Sequence, residues 1–202
     1  MARRGPFNPD LREQLAEEAA RLIRDHGIQD YGFAKRKAAA RFGVSGAGAL
    51  PRNSEIEARV LERQRIFEGG EHDQRLTGMR GLAVDLMAIL EGFEPRLAGA
   101  VLTGAITVST NLELHLFTDA PEEVVAVLQD HRYAVRNCQR RYRYNSQETV
   151  IVPGFRFKTR GESVYAFTFP EKGLRRAPMS PIDGRPMRRV DRAKLVALLE
   201  PA

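Results

Sequence analysis

LAGAVLTGAITVSTNLELHLFTD, residues 97–119, is where the rhythm of the chain changes. Before it, apolar residues recur at helical spacing; within it they begin to alternate. Ala100 to Thr103 is a short apolar run, predicted as a strand, that runs into Gly104. From Asn111 to Phe117 the alternation is clean. Leu112, Leu114 and Leu116 fall on one side, and Asn111, Glu113 and His115 on the other, because side chains two apart on a strand share a face. The stretch therefore predicts two strands joined by a tight glycine turn, with a polar row backed by a leucine row.

Upstream the signals are helical. Leu11, Leu15, Ala19, Leu22 and Ile23 lie on one helical face. Asn8-Pro9 supplies the start and Gly27 the stop. Asp30 suits the cap of a second short helix, YGFAKRKAAARF, ending at Gly43, and VSGAGALP after it reads as a linker. Ser54 to Glu57 forms a capping box ahead of Ile56, Val60 and Phe67, with Glu55 and Arg59 one turn apart as a pair. Gly69-Gly70 marks its end. A fourth helix follows over about 72–91, with Leu76, Met79, Ala83, Leu86, Met87 and Leu90 as its stripe. Pro95 ends it.

Downstream, Pro121 opens a short helix through Gln129 with Val124, Val125 and Leu128 inward. Tyr133 to Tyr144, Thr149 to Lys158 with a kink at Pro153-Gly154, and Ser163 to Phe169 read as strands. A last helix is expected over Asp191 to Leu199. The expected fold class is α+β: a helical N-terminal half, residues 1–95, and a small mixed-sheet α/β domain, residues 96–202.

The chain of 202 residues carries a net charge of +6, which favours a polyanionic partner or plain solubility. The single Cys138 excludes an internal disulfide and any multi-cysteine metal site, which suits a reducing compartment. The N-terminus lacks the apolar core of a signal peptide, and no apolar run has the length that a bilayer needs. The expectation is a cytoplasmic protein without a membrane partner.

A strand, a glycine turn, then a strand with polar residues two apart resembles the nucleotidyltransferase superfamily. Its usual pattern is a Gly-Ser turn, an Asp-x-Asp strand and a third carboxylate on a later strand. Paired carboxylates there hold Mg²⁺, which neutralises a triphosphate and activates the attacking oxygen; the glycine turn lets backbone approach the phosphates. The resemblance implies a nucleotidyltransferase-like domain with Gly104 and Ala105 at the phosphates. Asn111 and Glu113 take the carboxylate positions, Glu113 becomes the metal ligand, and Tyr165 stands where the third acid is expected. The chain is also similar to a group of small bacterial proteins with DYxxAKRKAAxR and an LHLF strand, some of which carry a nucleotidyltransferase label. The departures are Ala105 for serine, Asn111 for aspartate and Tyr165 for an acid. One carboxylate does not support a two-metal mechanism. His115, which titrates near neutral pH, is a candidate base. Asp119 suits the cap of the helix after it.

HRYAVRNCQRRYRY carries the second constellation. Arg132, Arg136, Arg140, Arg141 and Arg143 interleave with Tyr142, and guanidinium forks suit phosphate while tyrosine stacks on bases. On a strand, Arg141 and Arg143 face one side, Arg140 and Tyr142 the other. The alternative is an edge strand blunted by charge. Lys37 and Arg41 share a helical face and extend the candidate nucleic-acid surface, and Arg175, Arg176, Arg185, Arg188 and Arg189 surround Asp183-Gly184. Three functions follow: a catalytically degenerate nucleotidyltransferase-like protein binding a nucleotide or RNA, with Mg²⁺ or no cofactor; an active Mg²⁺-dependent transferase; or a protein-interaction module docking through the helical half.

Overall fold

The computed structural model describes residues 9–44, 50–67 and 69–200. Most of the expected linker, residues 45–49, lies outside them, as do Asn8 of the first helix start and the side chain of Phe67 in the third stripe. Contacts divide the chain into two compact units. One holds the residues up to 72 with 105–110 and 181–183; the other holds 73–104, 111–180 and the residues from 184 on.

The first unit is built on α1 (Pro9–His26), α2 (Tyr31–Arg41) and α3 (Asn53–Phe67). The stripe Leu15, Ala19, Leu22 and Ile23 is buried with Ala34, Ala38, Ile56 and Val60. Asp30 caps α2, accepting from the Phe33 amide at 3.0 Å. The capping box is shifted from its expected place. Helix α3 begins at Asn53, and the Glu55 carboxylate reaches back to the Arg52 amide at 2.5 Å. Glu55 pairs with Arg12 at 2.7 Å, whereas Arg59 pairs with Glu62 and Glu13. Cross-helix partners on α1, together with Glu62 one turn on in α3, thus replace the expected Glu55–Arg59 pair.

Helix α4 (Gly69–Ile89) starts at the glycines that were expected to separate it from α3. Its residues Met79, Ala83, Leu86 and Met87 are buried, with Leu90 just beyond. Every strand among the described residues follows Pro95: β1 (Arg96–Ala98) and, after a one-turn helix α5 (Ala100–Thr103), β2 (Leu112–Phe117). Helix α6 (Pro121–Asp130), β3 (Arg136–Arg143), β4 (Thr149–Thr159), β5 (Glu162–Phe169) and α7 (Arg192–Ala197) complete the order. The class is α+β, with a helical N-terminal half followed by a sheet region.

Two expectations about residues 97–111 are corrected. Ala100–Thr103 is a turn of helix, because Gly99 (φ 72°) and Gly104 (φ 90°) bracket it with backbone angles that favour glycine. The tight turn is instead a loop over 104–111. In the helical unit, Ala105 is buried in the core and the Ser109 hydroxyl donates to the Gly27 carbonyl at 2.9 Å.

The sheet order is β1-β2-β5-β4-β3, with β2 and β5 parallel and the other pairs antiparallel. Register partners share a face, so one row crosses the sheet as Arg136, Arg156, Tyr165, Glu113 and Ala98. The leucine row of β2 lies on the opposite face and is fully buried. The expected kink at Pro153-Gly154 is visible in the pairing. From Gly154 onward β4 pairs with β5, whereas its Val150–Pro153 part pairs with β3 and not with β5. Pro153 has no N–H to offer, and its carbonyl accepts from the Thr168 hydroxyl at 3.1 Å. A Cβ on Gly154 would lie 2.6 Å from the Ala166 carbonyl and 2.8 Å from the Phe167 ring. Only glycine lets β4 lie this close to β5 as it bends.

Candidate functional site

Strands in a flat sheet are about 4.8 Å apart, so β2 and β3, three steps along the order, would stand roughly 14 Å from each other. Yet the Tyr142 hydroxyl of β3 donates to Glu113 Oε1 of β2 at 2.9 Å. The bend at Pro153-Gly154 accounts for this: it curls the β3–β4 ribbon over the Glu113 face. Tyr142 is register partner to Val150 and Arg140 to Val152, both in the part of β4 that has left β5. Beneath them Phe117, Val152, Phe167 and Phe169 form an apolar cluster, against which Leu174 and Met187 pack.

Glu113 is the centre of the site. Oε1 also meets His115 Nε2 at 2.8 Å, and Oε2 is bound by the Arg140 guanidinium. The Arg140 guanidinium lies 5.6 Å from the Tyr142 ring centroid and 5.7 Å from that of Phe167. Burial pushes the Glu113 carboxyl upward, but the His115 hydrogen bond, the Arg140 charge and the Tyr142 hydroxyl outweigh it and hold it at about 2. Glu113 is therefore a carboxylate at neutral pH. Burial also pushes His115 below its ordinary value. Arg140 already answers the Glu113 charge, so the imidazole is neutral and donates from Nε2. Its Nδ1 is buried with no hydrogen-bond partner among the described residues. The ring is fully buried, edge-on to Tyr142 at 5.4 Å and tilted on Phe169 at 4.6 Å. Burial, then the Glu113 charge, raise the Tyr142 phenol far above its usual range, so it remains a donor.

The other residues singled out by sequence fall in different places. Asn111 is half-buried, one residue before β2. Gly104 is buried and its amide donates to the Ala100 carbonyl at 2.8 Å, closing α5. The polar row does not face solvent: Glu113 and His115 are both buried. Tyr165 is the register partner of Glu113, the neighbour position expected of a third acid, but the phenol that reaches Glu113 comes from Tyr142. Arg141 and Arg143 lie on the face opposite Arg136, Arg140 and Tyr142. Arg132 follows α6 with φ 62° and is exposed. In the helical unit, Lys37 is exposed and Arg41 pairs with Glu18 at 2.9 Å.

Mg²⁺ asks for an octahedron of oxygens anchored by bare carboxylates. Here one carboxylate faces three donors, one of them a cation, and both of its oxygens are used. Among the described residues no group of three or more His, Cys, Asp or Glu comes together. The residues of the cluster do not fit Mg²⁺.

Sequence reading missed Arg156. It opposes Arg136 directly, both are exposed, and neither forms an ion pair among the described residues. The signal was available in the FRFK alternation of β4, which puts Arg156 and Lys158 on one face. Among the described residues, no helix is long and apolar enough to cross a membrane. Compared with known proteins, the chain matches no family model, no curated protein and no solved structure.

Proposed function

We propose that this chain is a nucleotidyltransferase-like protein that binds a phosphate-bearing ligand, a nucleotide or RNA, and does not transfer nucleotidyl groups. The observation that carries this reading is the Arg140 guanidinium on Glu113 Oε2: a side-chain cation holds the carboxylate that a metal would need. The exposed arginines on one face of the β3–β4 ribbon then supply the phosphate contacts. Guanidinium binds phosphate in a bidentate fork without a metal bridge.

The test is an equilibrium titration with a labelled single-stranded RNA and with a nucleoside triphosphate, each in excess chelator and in Mg²⁺. Mg²⁺ is expected to bring no gain in affinity over chelator, and affinity should fall steeply with salt as counterions are released. No pyrophosphate should appear. Tight, stoichiometric binding of Mg²⁺ with the triphosphate, abolished by Glu113→Gln, would overturn the non-catalytic reading, and pyrophosphate release would establish the active transferase instead.

A further inference from the structure

Three positions of the cross-sheet row, Arg136, Arg156 and Tyr165, are adjacent on β3, β4 and β5. Side chains directly opposite in an antiparallel pair have Cβ atoms about 5 Å apart, and like charges so placed destabilise the sheet. No acidic side chain among the described residues pairs with Arg136, Arg156 or Lys158, which lies two residues on from Arg156 on the same face. The next position of the row, Tyr165, is half-buried and stacked on Phe167 at 6.1 Å with 24° between the rings. Beyond it Glu113 is already neutralised by Arg140, so it does not repel an anion from the row. The site therefore presents three cations without an acidic partner among the described residues, beside a tyrosine ring stacked on its strand neighbour Phe167.

We infer that a single-stranded nucleic acid lies across this row, with a phosphate between Arg136 and Arg156 and a base stacked on Tyr165. This deepens the proposed function and rests on it. Guanidinium forks match phosphate, and a tyrosine face takes any unpaired base. A duplex keeps its bases paired and stacked and offers none to the ring. The face also carries the one cysteine of the chain. Cys138 is half-buried between Arg136 and Arg140 on β3 and one row from the proposed phosphate. It reports whether the face is covered.

The experiment is an anisotropy titration of labelled oligouridine at two salt concentrations, with iodoacetamide alkylation of Cys138 followed in parallel. Arg136→Ala with Arg156→Ala is expected to weaken binding at least about tenfold. It should also flatten the salt slope by about 0.7, the contribution of the one single-strand phosphate contact that is lost. Arg141→Ala with Arg143→Ala, on the opposite face, should bind like the parent. Tyr165→Leu should weaken binding about 5- to 100-fold, and Tyr165→Phe should bind like the parent. Bound oligouridine should slow Cys138 alkylation. If the parent binds but the Arg136/Arg156 double variant binds equally well, or Cys138 reacts at an unchanged rate in the complex, the row is not the seat, although the wider binding reading stands. If polyglutamate of equal charge displaces the probe as well as oligouridine does, the row recognises acidic chains instead. If the parent binds neither oligouridine nor a nucleotide at low salt, the proposed function falls together with this inference.

Discussion

Glu113 and the Arg136–Arg156 pair stand on one row of one sheet face, with Arg156 two strands and Arg136 three strands from Glu113, and their charges are answered in opposite ways. Glu113 is buried, and three side chains from β2 and β3 converge on it. The two arginines are exposed and meet no acid among the described residues. A buried charge has to be compensated within the protein, because desolvation otherwise costs several kcal/mol. An exposed charge needs no internal partner, and its field remains available to a ligand. Groups that hold the fold are thus distinct from groups free to bind, and substitutions can break either set separately.

The largest effect should come from Glu113→Ala. The Tyr142 hydroxyl and His115 Nε2–H would lose their acceptor and Arg140 its counter-charge, so a loss of roughly 3–5 kcal/mol is expected. Urea unfolding followed by circular dichroism measures it; a loss under about 1 kcal/mol would mean that the cluster is not integral to the fold.

Acid should destabilise the same cluster in two stages. The unfolded chain takes up a proton at His115 near its ordinary value of 6.5, whereas the folded value lies lower, so stability starts to fall as pH drops below about 6.5. Glu113 sits at about 2 when folded against 4.5 otherwise. The stability it contributes, of order 3 kcal/mol, is complete above about 4.5 and disappears as pH falls towards 2. His115→Asn should remove the first stage and leave the second. Urea midpoints collected between pH 8 and pH 3 decide whether two stages exist.

Gly154→Ala should cost about 1–3 kcal/mol, since the added methyl meets the Ala166 carbonyl and the Phe167 ring. A substitution that leaves thermal stability unchanged would show that β4 does not need its close approach to β5. The smallest effect concerns the other end of the row. Arg136→Glu turns a like-charge pair into an ion pair with Arg156 and should stabilise the sheet by about 0.2–1 kcal/mol. The same change should abolish oligouridine binding. A variant that becomes both less stable and less able to bind would mean that Arg136 serves the fold after all.

Local periodicity exposed part of this arrangement and hid the rest for identifiable reasons. Alternation over 111–117 put Glu113 and His115 together, and the arginine-rich strand split Arg141 and Arg143 from Arg140 and Tyr142, as the register shows. Four residues at 100–103, three of them apolar, are too few to distinguish a strand from a turn of helix, and the glycine angles on either side decided it. The partners of Glu113 were not legible. Tyr142 and Arg140 reach it only because the ribbon bends at Pro153-Gly154. A Pro-Gly pair signals a bend without saying what the bend brings together. Burial of the polar row also depends on residues 170–190, whose Leu174 and Met187 cover the face without any periodic signature.

The position of β5 has a consequence in time. It is the last strand of the chain, yet it occupies the middle of the sheet, between β2 and β4. Until residues 162–169 leave the ribosome, the nascent chain holds only a β1–β2 ribbon and a β3–β4 ribbon, each marginal alone and each with an unpaired inner edge. β5 then supplies both junctions at once, pairing residues about fifty positions apart in Leu112 and Val164. Such a topology folds slowly and leaves strand edges open to other chains while it waits. Any delay before residues 162–169 emerge therefore lengthens the interval in which two half-sheets are exposed to aggregation, whereas a delay after they emerge finds the sheet already joined.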